Sequence, residues 1–248
     1  MKAAIAECKA RTEAHIALPK GERFDLSFVT KKPWSGYNWY KGDAHSLIEI
    51  NTDLPIYISR ALDLGCHEGY PGHHVLNTQL EEKLTKGKGW IEFSVYPLFS
   101  PQSFIAEGSA NFGIVLAFPG QAKTEFERDK LYPLAGLDPA TAKAYGELQD
   151  AKAALSSSGN TIAAEYLGGR MTKEQAVLAL MKYGLYSRGA AEKRVAFIET
   201  YRSYVINYNI GQDMVRDYVY RAGKSEDARW KAMERIVSEP TTPADLRK

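Results

Sequence analysis

Residues 66–75 read CHEGYPGHHV and hold three of the chain's five histidines, with Pro71 and Gly72 between His67 and the pair His73–His74. This Pro-Gly pair constrains the fold more than any other feature. The sequence on either side has helical period, yet a helix interior excludes proline and disfavours glycine. In an unbroken helix of about 3.6 residues per turn, His73 would face nearly the opposite side from His67, and His74 would lie roughly 10 Å further along the axis. Two imidazoles placed that way cannot share one ion at about 2.1 Å each. If the interruption absorbs two residues as a bulge, His73 takes the place of an i+4 histidine. The stretch is therefore either a metal site built on an interrupted helix or an exposed polar turn.

A catalytic zinc typically has three protein ligands, so two histidines need a third partner. FIAEGSANFG offers Glu107, an acid in an otherwise apolar helical stretch with Phe104, Ile105, Phe112 and Ile114. Asn111 lies one turn on, placed to hydrogen-bond a ligand histidine, and His74 is expected beside the ligands in a supporting place. Glu165 in AAEYL is the competing acid, whereas Glu81, Glu82 and Glu92 sit among charged residues and read as solvent-facing. Cys66, next to His67, would point about 100° away on a helix and is not expected on the ion.

The rest of the chain supports a mainly helical single domain spanning 1–248 with a small β element. Its 248 residues are 44% hydrophobic and 25% charged, with a formal charge of +2 that gives no reason to expect nucleic acid. No apolar run is long enough to span a bilayer, and the N-terminus lacks a secretory core, which leaves a cytoplasmic location as the default. Cys8 and Cys66 are too few for a disulfide framework and read as small buried residues. Helices are expected over 2–17, from Pro55 across the Pro-Gly interruption, and over PQSFIAEGSANFGIVLAF with proline in its first turn. Further helices follow Asp138, the capping box Thr172–Gln175, and Ser225; residues 190–223 form one long helix or two in series. The stretch from Pro19 to Asp43 reads as loop, and LIEINTDLP as a short strand with one buried face.

CHEGYPGHHVLNTQL resembles the H-E-x-x-P-G-H-H stretch of the bacterial family known as domain of unknown function 885, whose members resemble gluzincin metallopeptidases. AEGSANFG is similar to that family's E-G-W-A element and SYVINYNIG to its Y-x-x-G element, so that the likeness runs from about Leu47 to Asp217. The resemblance implies a gluzincin-like helical domain that binds Zn2+ through His67, His73 and Glu107 and hydrolyses peptides with Glu68 as general base. Ser109 stands where the family usually has tryptophan, and Arg202 and Ser203 where it commonly has proline and glycine. Family members are usually longer, so this chain is expected to be the catalytic half, with an N-terminal region missing. Tyr208 is the expected oxyanion donor, with Arg202 and Tyr204 on the same stretch as substrate contacts. LIEINTDLP would serve as an edge strand gripping a peptide, aided by the amide of Asn51. Two alternatives stay open: a zinc amidase acting on non-peptide amides, and a truncated helical module that binds without turnover.

Overall fold

Apolar residues recur at helical spacing over most of the chain, and the computed structural model, which describes residues 1–248, is mainly helical with one small sheet. Helix α1 (Lys2–Glu13) is followed by β1 (Arg23–Val29), β2 (Gly36–Gly42) and β3 (His45–Asn51). Then come α2 (Ile58–Leu64), α3 (His73–Leu80), α4 (Pro101–Ala117), α5 (Ala122–Phe126), α6 (Tyr132–Leu134), α7 (Ala142–Ala153), α8 (Ser158–Leu167) and α9 (Lys173–Gly184). The chain finishes with α10 (Arg188–Tyr201), α11 (Ile210–Arg221) and α12 (Glu226–Ser238). Local signals set many of these ends. Thr172 and Gln175 form the reciprocal capping box of α9, Ser225 accepts from the Ala228 amide ahead of α12, and Pro101 opens α4.

The segment expected to be loop contains two strands. In β1 the apolar residues Phe24, Leu26 and Phe28 alternate with polar ones, and β2 is rich in aromatics, both strand compositions. The sheet order is β1-β3-β2, with β1 parallel and β2 antiparallel to β3. This corrects the edge-strand expectation, because β3 is central and both of its edges are taken. Its buried face, Ile48 and Ile50, packs with Leu64 at the end of α2.

The Pro-Gly interruption does more than bulge a helix. From Leu64 the backbone widens into a π-helical turn, Gly65–Gly69, extends at Tyr70, and restarts as α3 at His73. The Gly72 amide reaches back to the Cys66 carbonyl at 3.0 Å. A Cβ on Gly72 would lie 1.8 Å from the His67 carbonyl oxygen, so glycine is needed there for clearance. Two further glycines seat the neighbouring helix. Gly108 of α4 lies against Gly211 of α11, and Gly113 lies against the Pro71 ring. Backbone approach of this kind leaves no room for a side chain, and it fixes α4 across the break.

The main core is built from α1, α3, α4, α11 and α12 around Val75, Phe112, Val215, Trp230 and Met233. The two cysteines are buried as expected, but they are bonded to each other, tying α1 to the π-helical turn at the residue before His67. The 190–223 stretch is two helices, divided by a 3-10 segment over Arg202–Asn207 in which Arg202 adopts a φ of +50°.

Candidate metal centre

Three elements converge on one point. The π-helical turn presents His67, the first residue of α3 presents His73, and the middle of α4 presents Glu107. One ligand atom from each lies within 4.8 Å of the others, a group that could hold a metal ion. Glu107 Oε2 is 3.0 Å from His67 Nε2 and 3.6 Å from His73 Nε2, yet it makes no aligned hydrogen bond. Its other oxygen, Oε1, accepts from the Tyr204 hydroxyl at 2.5 Å.

Hydrogen bonding around Asn111 fixes the proton on His67. The Asn111 amide nitrogen donates to the Tyr208 carbonyl at 2.9 Å, an oxygen that can only accept. Asn111 Oδ1 therefore faces His67 Nδ1 at 2.8 Å, and the ring must donate from Nδ1. In the neutral ring Nε2 then carries a lone pair, pointed at the carboxylate oxygen of Glu107. Two acceptors 3 Å apart repel unless a second proton or a cation lies between them.

The buried acids respond to this arrangement differently. Burial by itself raises the Glu107 carboxyl, but His73 and His67 outweigh it and hold the group well below the usual carboxylate range. Burial lowers the basicity of His67, and Glu107 more than restores it. Glu68 is raised, chiefly by burial and further by Glu107, against the opposing pull of His67 and His73. Its Oε2 is buried without a partner, like Oε2 of Glu107.

The expected residues separate into groups. His67, His73, Glu107 and Asn111 come together as the sequence indicated, with Glu68 buried beside them. Tyr208 lies with its ring centroid 6.3 Å from that of His67, nearly parallel to it. Tyr204 belongs to the site as the partner of Glu107, which corrects its expected place as a substrate contact. His74 is also a correction. It is fully buried and turned away, bonded through Nδ1 to Ser46 and through Nε2 to Glu22, each at 2.7 Å. Asn51 is a third, because its amide donates to the carbonyls of Lys32 and Trp34 and its Oδ1 accepts from the Asp53 amide. That closes the loop ahead of β2 and leaves nothing with which to grip a peptide. Arg202 is exposed at the start of the 3-10 segment and makes no side-chain hydrogen bond or ion pair. The rival acid Glu165 is only partly buried and is paired with Arg170, and Glu81 accepts from the amides of Asp43 and Ala44 at the β2–β3 turn.

Two residues of β2 also border the site, and sequence periodicity does not mark them. Asn38 donates to the Glu68 carbonyl at 2.8 Å, and a Cβ on Gly36 would meet Glu68 Oε1 at 2.7 Å. The only signal was a glycine opening an aromatic-rich segment. Comparisons with protein-family models, with curated proteins and with solved structures returned no match.

Proposed function

We propose that this chain is a zinc-dependent hydrolase of peptide bonds. The observation that carries the reading is the pair of buried, unpartnered carboxylate oxygens, Glu107 Oε2 and Glu68 Oε2, beside His67 and His73. One of them faces two imidazole nitrogens, as a ligand does. The other belongs to an acid whose proton affinity is raised, as a general base requires. Two nitrogens and one carboxylate oxygen are the donor set of a catalytic zinc, held by His67, His73 and Glu107. When bound, zinc would supply Lewis acidity there. The likeness of CHEGYPGHH and AEGSANFG to domain of unknown function 885 supports the same reading.

The side chains then divide the work. Glu68 takes a proton from the attacking water and delivers it to the leaving amine. The Tyr208 phenol is pushed well above its ordinary range, first by burial and then by Glu107 and Glu68, so it stays protonated and can donate to the developing oxyanion. Asn111 and Tyr204 hold His67 and Glu107 in place. Of the three strands, β2 is the edge strand beside Glu68, and it is the one a peptide could extend.

Cleavage of a mixed peptide library by zinc-loaded protein, compared with Glu68→Gln, tests the reading. A general base typically contributes about 10²–10⁴-fold, so the variant should retain about 1% activity or less with its metal in place. Near-normal turnover in Glu68→Gln, or no cleavage by the parent chain, would rule the reading out.

A further inference from the structure

From His67 a file of rings leads away from the metal centre. The Tyr208 ring lies 6.3 Å from the His67 ring, Phe197 lies 6.0 Å from Tyr208, and the Arg194 guanidinium sits 5.1 Å over Phe197. Arg194 is half-buried on α10. Its neighbours are already engaged, Glu192 with Arg188 and Lys193 with Asp53, and Arg194 itself makes no ion pair or side-chain hydrogen bond. Stacking on Phe197 offsets part of the desolvation of this cation. Its five N–H donors remain open, in a fork that fits a carboxylate bidentately. The other guanidinium near the site, Arg60, is occupied by the Ser35 hydroxyl and by Asp63.

We propose that Arg194 receives the free carboxylate at the C-terminus of a peptide, so that the site removes C-terminal residues. The inference rests on the hydrolase reading above. The half-buried Tyr208 ring, between Phe197 and His67, gives the last side chain an aromatic face, which suits an apolar or aromatic terminal residue. In the reaction the last C–N bond breaks. Water gives its hydroxyl to the acyl carbon and a proton to the amine, releasing a shortened peptide acid and a free amino acid.

The test pairs benzoyl-glycyl-phenylalanine with its C-terminal amide as substrates for the zinc-loaded chain. In parallel, calorimetry of the metal-free protein uses N-acetylphenylalanine and its amide. The parent chain should favour the acid by at least about tenfold in kcat/KM, the worth of one charge-assisted hydrogen bond. Arg194→Met, checked for folding by circular dichroism, should raise KM for the acid about tenfold with a smaller effect on kcat, and should erase the preference between acid and amide. Arg194→Lys should recover part of it. Equal cleavage of acid and amide by the parent chain would overturn the proposal, and so would an Arg194→Met defect that falls on both alike. If neither peptide is cleaved, the hydrolase reading fails and calorimetry decides Arg194 alone. Binding of the acid over the amide that is lost in Arg194→Met then upholds the carboxylate site, and equal binding rejects it.

Discussion

At Asn111 one amide decides which nitrogen of His67 is available. Its NH2 is committed to the Tyr208 carbonyl and its oxygen to Nδ1–H, which turns the Nε2 lone pair toward Glu107. Replacing Asn111 with Leu removes that constraint, and loss of such a supporting bond typically costs about 10–100-fold in metal affinity. Zinc competition with a chromophoric chelator should show a drop of that size, and unchanged affinity would mean that Asn111 does not orient the ring. His74 provides the contrast. His74→Ala should keep its metal but lose about 3 kcal/mol in a denaturant titration, because Glu22 would be left buried with one fewer partner. Adjacent residues of one motif thus have different jobs. The sequence separated them only in part: helical arithmetic favoured His73 over His74, but Glu22, the true partner of His74, lies 52 positions away. No local pattern announces such a contact.

The break between α2 and α3 is the element on which the site depends. Gly72 is needed there for space, because a Cβ would lie 1.8 Å from the His67 carbonyl oxygen. An alanine there must displace either His67 or the start of α3, and an imidazole shift of about 1 Å is large against zinc–nitrogen bonds of about 2.0–2.1 Å. Gly72→Ala, if folded by circular dichroism, should bind zinc at least about tenfold more weakly; an equal affinity would show that the break does not build the site. Elements with a local cause were legible, among them α4 behind Pro101, α9 behind its capping box, and the interruption itself. Elements stabilised from a distance were not. Strand β2 owes its place to pairing with β3, and the Cys8–Cys66 link joins residues 58 apart. Tyr201 and Ile210 end and restart a helix that periodicity alone would carry through.

Across the whole molecule, two buried acids outside the centre give stability opposite slopes with pH. Glu22 is lowered to about 2: burial opposes this, but His74, Lys9 and Tyr70 prevail, so its contribution is complete above about pH 4.5 and fades as pH falls through 2. Glu127 is raised to about 7, mainly by burial and also by Asp63, with Lys123 opposing. Below about pH 4.5 it is protonated whether folded or not and has no effect. Above that the unfolded chain gives up the proton first, and the cost is complete past pH 7. Glu127→Gln should therefore be about 2 kcal/mol more stable than the parent at pH 8 and no more stable at pH 4; denaturant midpoints at the two values check the sign. The metal centre itself is tested by elemental analysis with zinc X-ray absorption on protein purified without chelator. One zinc per chain with two imidazole ligands is expected, lost in Glu107→Ala and His73→Ala and retained in Glu165→Ala. Metal-free parent protein, or zinc kept in full by Glu107→Ala, would mean that these three residues do not form a zinc site.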